Sequence, residues 1–115
     1  MRKNPSKPQR RRLRQRTAEL RREISAMDFV ATGTLHCRTK VCGRPNCRCA
    51  TDPAARHGPY YEWSRRQEGR LVHRLLAAEQ VPVVERALAN QRRIQALLTE
   101  WEQETLKELF ESDDT

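Results

Sequence analysis

Residues 37–63 read CRTKVCGRPNCRCATDPAARHGPYYEW, and the fold prediction is built around this stretch. It contains all four cysteines of the chain, at the spacing C-x4-C-x4-C-x-C. The turn formers Gly43, Pro45 and Asn46 interrupt it, so neither a helix nor a plain strand fits. A long loop inside a domain of this size needs its own fastening. Because thiolates are strong ligands of Zn²⁺, the stretch predicts a loop closed by a metal ion.

The predicted zinc ligands are the thiolates of Cys42, Cys47 and Cys49 and the imidazole of His57. Cys47 and Cys49 are an i, i+2 pair, whose side chains point to the same side of an extended segment. Cys37 is the alternative fourth ligand. We favour His57, at the neck of the loop, because Cys37 shares the apolar face of a predicted strand and there serves as a small core residue. Two disulfides, or free thiols in a hydrogen-bonded loop, are the other interpretations.

Two runs, CGRPNCRCA (residues 42–50) and HGPYY (residues 57–61), resemble the signature of a family of small uncharacterised bacterial proteins. Members are sometimes found near mobile genetic elements, and the family has no settled activity. The resemblance covers about Gly33 to Trp101 and implies a cysteine-rich loop, an aromatic hairpin and a long C-terminal helix. The family's recurrent cysteines correspond to Cys42, Cys47 and Cys49. Cys37 is extra, which also favours His57, and the basic arm before Gln9 lies outside the resemblance.

The hydrophobic periodicity predicts an α+β fold: an N-terminal helix, a three-stranded antiparallel sheet with a zinc-clasped loop, and a long C-terminal helix. Helices are predicted at about 9–27 and 83–111, and strands at 34–41, 60–66 and 71–76. Residues 1–8 are predicted to be a disordered basic arm and residues 9–112 a single α+β zinc-binding domain. The two helices carry matching apolar seams and opposite charge, which predicts an antiparallel pair within one chain or across a dimer.

The charge distribution predicts a polyanionic partner. The net charge is +8 in residues 1–26, +5 in residues 27–75 and −5 in residues 76–115. A small sheet with a basic outer face fits a DNA groove, and Tyr60 on that face is a candidate for base stacking or for ordinary hairpin packing. The N-terminal arginines are either a solvated helix face or a nucleic-acid contact. The candidate nucleic-acid-binding residues are Arg38, Lys40, Arg44, Arg48, Arg66, Arg70, Arg74, Arg11 and Arg14.

The leading interpretation is a zinc-stabilised, non-catalytic nucleic-acid-binding protein, with DNA slightly favoured over RNA. The alternative is an assembly protein whose paired helices form a homodimer or dock onto a larger recombinase- or transposase-type partner. No enzyme activity or small-molecule substrate is expected, because a closed four-ligand zinc site leaves no open position for chemistry. With no secretory signal and no long apolar run, we expect a cytoplasmic protein without a membrane-spanning segment.

Overall fold

The first helix begins earlier than its periodicity predicts. The structure, a computed structural model, describes residues 6–110, so the predicted disorder of residues 1–5 lies outside the described residues. Residues 6–8, the rest of the predicted arm, instead cap and begin a helix. Helix α1 spans Lys7–Ser25 and starts with a capping box. The hydroxyl of Ser6 accepts the backbone N–H of Gln9 at 3.3 Å, and Oε1 of Gln9 accepts the N–H of Ser6 at 2.9 Å. These two bonds satisfy backbone N–H groups that otherwise lack a partner at the start of a helix. Helix α1 therefore starts at Lys7 and not at about residue 9.

The sheet is the predicted antiparallel meander. Strands β1 (Thr34–Lys40), β2 (His57–Gln67) and β3 (Arg70–Leu76) are hydrogen-bonded in the order β1-β2-β3. Glu68 (φ 52°) and Gly69 (φ 81°) connect β2 to β3. Positive φ at both central residues is the pattern of a type I′ hairpin turn, which matches the twist of the strands.

Helix α2 runs without interruption from Val81 to Phe110. A short 3₁₀ helix, Ala78–Gln80, leads into it. Its 30 residues correspond to about 45 Å at 1.5 Å per residue, as the absence of Gly and Pro after residue 82 predicts. Within the part of the chain that the structure describes, no helix combines the length and apolar character needed to cross a membrane.

Backbone contacts divide the described part of the chain into two compact units, residues 31–88 and residues 6–30 with 89–110. In the helical unit, α1 packs antiparallel to the C-terminal part of α2, so the predicted helix pair forms within one chain. Leu20 and Leu97 are fully buried there. Arg16 of α1 binds Glu100 of α2 through two hydrogen bonds of 2.5 and 2.9 Å. In the second pair α2 supplies the basic residue: Arg93 binds Glu23 of α1.

In the sheet unit, the indole of Trp63 fixes the chain that enters β1. Its Nε1–H donates to the carbonyl of Thr32 at 2.9 Å. The next residue, Gly33, has φ 114°, and a Cβ there would lie 2.3 Å from the carbonyl oxygen of Ser64. The entry to β1 therefore requires glycine. Ala87 and Leu88, in the first turns of α2, are buried in this unit.

Alternation along the predicted strands places Cys37 and Val41 on the core face and Ser64 on the outer face, and all three depart from this prediction. Cys37 is exposed and Val41 is 49% exposed and lies beyond the end of β1, so neither is a core residue. The reason is that β1 is an edge strand with a single neighbour. Ser64, predicted to face solvent, is only 7% exposed. It lies on the central strand, where the ring of His36 reaches its hydroxyl at 3.2 Å.

Candidate metal centre

The loop between β1 and β2 is folded by its own backbone before any ligand is considered. The carbonyl of Arg44 accepts the N–H of Cys47 at 3.2 Å, which closes the turn through Pro45 and Asn46. A 3₁₀ helix, Arg48–Ala50, follows. The carboxylate of Asp52 then caps a second one, Pro53–Ala55, by accepting the N–H of Ala54 at 3.0 Å. This succession of tight turns brings the end of the loop back toward its start.

An irregular register places His57 against the start of the loop. Arg38 is paired with Tyr60, whereas Lys40 is paired with His57, so the register shifts between these two pairs. At the shift the backbones approach closely: a Cβ on Gly58 would lie 2.9 Å from the carbonyl oxygen of Arg38. Gly58 also has φ 127°, a conformation that L side chains rarely adopt. His57 therefore lies at the mouth of the loop, opposite the last residue of β1.

The four predicted ligand groups come together. The ligand atoms of Cys42, Cys47, Cys49 and His57 all lie within 4.8 Å of one another. Sγ of Cys42 is 3.4 Å from Sγ of Cys49, and Sγ of Cys47 is 3.3 Å from Nε2 of His57. A tetrahedral zinc site with bonds of about 2.3 Å to sulfur and about 2.0–2.1 Å to nitrogen has edges of roughly 3.5–3.8 Å. The cluster thus has the size of a one-ion site, and Cys37 is not part of it.

The surroundings of the cluster shift the pKa values of two of its thiols, Cys47 and Cys49, in opposite directions. Backbone N–H donation from Cys49, with further hydrogen bonds from the neighbouring thiols, lowers the pKa of Cys47. The N–H of Cys42 donates to Sγ of Cys49 at 3.3 Å and favours the Cys49 thiolate. Burial and hydrogen bonds with the Cys47 and Cys42 thiols outweigh that donor and raise the pKa of Cys49. Cys49 is 2% exposed, so a thiolate there calls for a compensating positive charge.

Several of the predicted nucleic-acid-binding arginines are engaged within the chain. Arg38 forms an ion pair with Glu62. Arg48 pairs with Asp52 at 3.2 Å, and Arg14 pairs with Glu108 at 3.5 Å. These pairs leave less charge for a partner than the sequence alone indicates.

The register places Arg74 and Arg66 on opposite faces of the sheet. Arg74 is opposite Trp63 in the register, whereas Arg66 shares the face of Glu62 and Ser64. Arg74 therefore does not contribute to the outer basic face, because the register places it on the face of Trp63. Arg66 and Arg70 are exposed, as predicted for these two residues.

Lys40 and Arg44 line an open cleft of about 730 Å³ beside the cysteine cluster. Nζ of Lys40 lies 5.0 Å from the centroid of the Tyr60 ring. The cleft is lined by Lys40, Val41, Cys42, Arg44, Asn46, Cys47, His57 and Tyr60. Sequence reasoning did not single out Asn46 or Val41 as parts of a site, because a loop without periodicity does not indicate which of its residues line a cleft.

A family model described as Domain of unknown function (DUF6788) matches residues 9–86. The chain belongs to the DUF6788 family. The DUF6788 match includes α1 from Gln9 onward, the whole sheet and all four clustered residues, so it starts and ends earlier than the resemblance from Gly33 to Trp101. Membership of an uncharacterised family is confirmed, whereas its link to bacteria and mobile elements stays a prediction. No curated protein and no solved structure matches the chain.

Proposed function

We propose that this DUF6788 protein is a non-catalytic nucleic-acid-binding protein whose sheet unit is stabilised by Zn²⁺. The observation that carries the proposal is the outward face of α1, which is strongly basic and nearly free of acidic residues. The cysteine cluster would hold the loop, and the basic helix would supply the affinity.

The donor set supports zinc. Three thiolates and one imidazole are a common structural zinc set, and soft sulfur ligands disfavour Mg²⁺ and Ca²⁺. Cys42, Cys47, Cys49 and His57 would hold the ion, and four protein ligands leave no position for a substrate. Because the ligands come from the loop and from the first residue of β2, the ion would contribute directly to folding stability.

The basic face of α1 lies away from the side that packs on α2. It follows Arg11, Gln15, Ala18 and Arg22, which line two adjoining shallow grooves with their neighbours. The other basic residues of this face are Lys7, Arg10 and Arg21, and Arg14, which is paired with Glu108, lies at its edge. Glu19, at its edge, is bound by Arg16 at 3.2 Å. Guanidinium groups this close together repel one another when no acidic side chain pairs with them. Bound phosphates would neutralise their charge and remove the repulsion.

The shape of α1 favours DNA. Its 19 residues form a rod of about 28 Å, and a helix of about 10–12 Å diameter fits the major groove of B-DNA. The major groove of A-form RNA is too narrow for a helix. We therefore infer that duplex DNA is the better ligand, with phosphate contacts dominating the affinity.

The test is fluorescence anisotropy with a labelled DNA duplex over a series of salt concentrations. We expect log K to fall linearly with log salt, and Arg11→Gln with Arg22→Gln to weaken binding and reduce the slope by about two units. The matched control is Arg74→Gln with Arg92→Gln, which removes the same charge elsewhere and keeps the slope within about half a unit. Equal effects of the two double variants, or binding that is insensitive to salt, would contradict the proposal.

A second function is supported by an apolar stripe on α2. Leu98, Leu106 and Leu109 are 45%, 47% and 59% exposed. Their spacing places them on one side of the helix, so together they form an exposed apolar stripe. This supports the alternative of an assembly protein that forms a homodimer or docks onto a recombinase- or transposase-type partner. Light scattering distinguishes the two: a mass above one chain that Leu98→Gln with Leu109→Gln returns to one chain would favour assembly.

A further inference from the structure

The cleft beside the cysteine cluster combines an aromatic wall with two cations. Tyr60 is 37% exposed and Val41 is 49% exposed, so two apolar surfaces line an opening of about 730 Å³. This volume, part of which lies against the proposed zinc ligands Cys42, Cys47 and His57, is within the range of about 300–1,000 Å³ for small-ligand pockets. Asn46 adds an amide that both donates and accepts hydrogen bonds.

The charge of the cleft favours an anion. Among the described residues that line it, Lys40 and Arg44 are basic and none is a carboxylate. Neither basic side chain has an ion-pair partner within residues 6–110. The three thiolates with one Zn²⁺ would carry a single negative charge, which the two cations more than balance. A phosphate next to Lys40 and Arg44 would therefore meet a positive environment.

The aromatic ring, the amide and the two cations of the cleft match the base and the phosphate of a nucleotide. A base has two π faces and stacks on an aromatic ring, Asn and Gln amides pair with base edges, and Lys and Arg bind phosphate. We propose that this cleft takes one unpaired nucleotide of a nucleic acid strand, with the base in place of the Lys40 ammonium over the ring of Tyr60 and its phosphate at Lys40 and Arg44. This rests on the proposed nucleic-acid binding and adds a preference for duplexes that carry an unpaired end.

The experiment compares a blunt DNA duplex with the same duplex carrying a short single-stranded overhang, using zinc-loaded protein. Because one base stacked on an aromatic side chain adds to the binding free energy, the overhang should bind at least about fivefold more tightly. Tyr60→Leu should abolish this preference, whereas Tyr60→Phe should retain it. Both variants should keep their zinc, because Tyr60 is not one of its proposed ligands, so the comparison is the ratio of overhang to blunt affinity within each protein.

The outcomes separate this inference from the function on which it rests. Equal affinity for blunt and overhanging duplexes would overturn the nucleotide site and leave duplex binding by α1 intact. No saturable binding to either duplex would contradict the proposed function itself. A free mononucleotide is the second probe: Tyr60-dependent binding of the mononucleotide without any overhang preference would overturn the strand-end site in favour of a pocket for free nucleotides.

Discussion

Nε2 of His57 lies 3.3 Å from Sγ of Cys47, across the mouth of the loop between β1 and β2. The two residues are ten positions apart, and only the turns of the loop and the shifted register bring them together. His57 belongs to a strand that is also hydrogen-bonded to β1 and β3, so an ion held between them would connect the loop to the sheet. The following prediction depends on this connection.

Purified protein should contain about one zinc ion per chain, measured by inductively coupled plasma mass spectrometry. Cys47→Ser and His57→Ala should each lower zinc affinity by more than about 100-fold, since even the loss of outer partners of a metal site costs 10–100-fold. Chelator should lower the melting temperature of the original protein, because zinc binding and folding are coupled.

Cys37→Ser is the matched control for these two variants. Cys37 is exposed on β1 and is not part of the cluster, so the variant should keep its zinc and its melting temperature within about 2 °C. Zinc loss in Cys37→Ser with retention in His57→Ala would show that the fourth ligand is Cys37. A melting temperature unchanged by chelator would rule out a structural role for the metal.

The Arg16–Glu100 pair should make the stability of the helical unit dependent on pH. The hydrogen bonds from Arg16 lower the pKa of Glu100, with a smaller contribution from the charge itself. A depressed carboxyl pKa contributes stability above the ordinary carboxyl pKa, and this contribution is lost as the pH falls through the folded-state value. Glu100→Gln should therefore lower the urea midpoint at neutral pH and lose this effect in acid.

Glu102→Gln is the control for Glu100→Gln, since Glu102 is exposed and has no ion-pair partner among residues 6–110. It should change the midpoint little at either pH. A difference between original and Glu100→Gln protein that persists unchanged in acid would contradict the assignment of stability to the ionised pair.

Two glycines with positive φ should respond differently to the same substitution. Gly69→Ala places its Cβ in open space, so only backbone strain of about 1–2 kcal/mol opposes it. Gly33→Ala adds a Cβ 2.3 Å from the carbonyl oxygen of Ser64 and 2.8 Å from Nε1 of Trp63. We expect Gly33→Ala to lower the free energy of unfolding by clearly more than Gly69→Ala. Equal losses in urea unfolding would show that strain alone determines the cost.

The sequence predicted the elements because each has a strong local signal. Glu68-Gly69 between two alternating segments fixed the hairpin, and the uninterrupted run after Pro82 predicted α2. The two differences from the prediction, the start of α1 and the exposure of Cys37, have local causes as well. The capping box at Ser6 moved the start of α1, and the edge position of β1 left Cys37 in solvent.

The candidate metal site was predicted because ligand chemistry narrows the choice to a few residue types. The chain has only four cysteines, and three of them with His57 form the observed cluster. The basic face was predicted less well, because the partner of a charged side chain is set by the register. Arg38 meets Glu62 only through the pairing of β1 with β2, and Arg74 lies on the Trp63 face for the same reason.

Glu62 is predicted to oppose nucleic-acid binding by the outer sheet face. Its side chain is 20% exposed, and one of its oxygens is shared by Arg38 and, at 3.6 Å, by Nδ1 of His73. Among the strand residues of this face that the structure describes, it is the one carboxylate. Glu62→Gln should release Arg38 for a phosphate and steepen the salt slope by about one unit, while Arg66→Gln should flatten it by about one.

Because Glu62→Gln should steepen the salt slope and Arg66→Gln should flatten it, the two variants together test the sheet face specifically. Glu62→Gln also loses its hydrogen-bonded ion pair, so its melting temperature should fall, and a nonspecific loss of structure would weaken binding rather than strengthen it. An increase in affinity together with lower stability would therefore indicate the changed charge of the sheet face and not a loss of structure. If both variants leave the salt slope unchanged, the outer sheet face does not contact the duplex, and α1 alone accounts for phosphate binding.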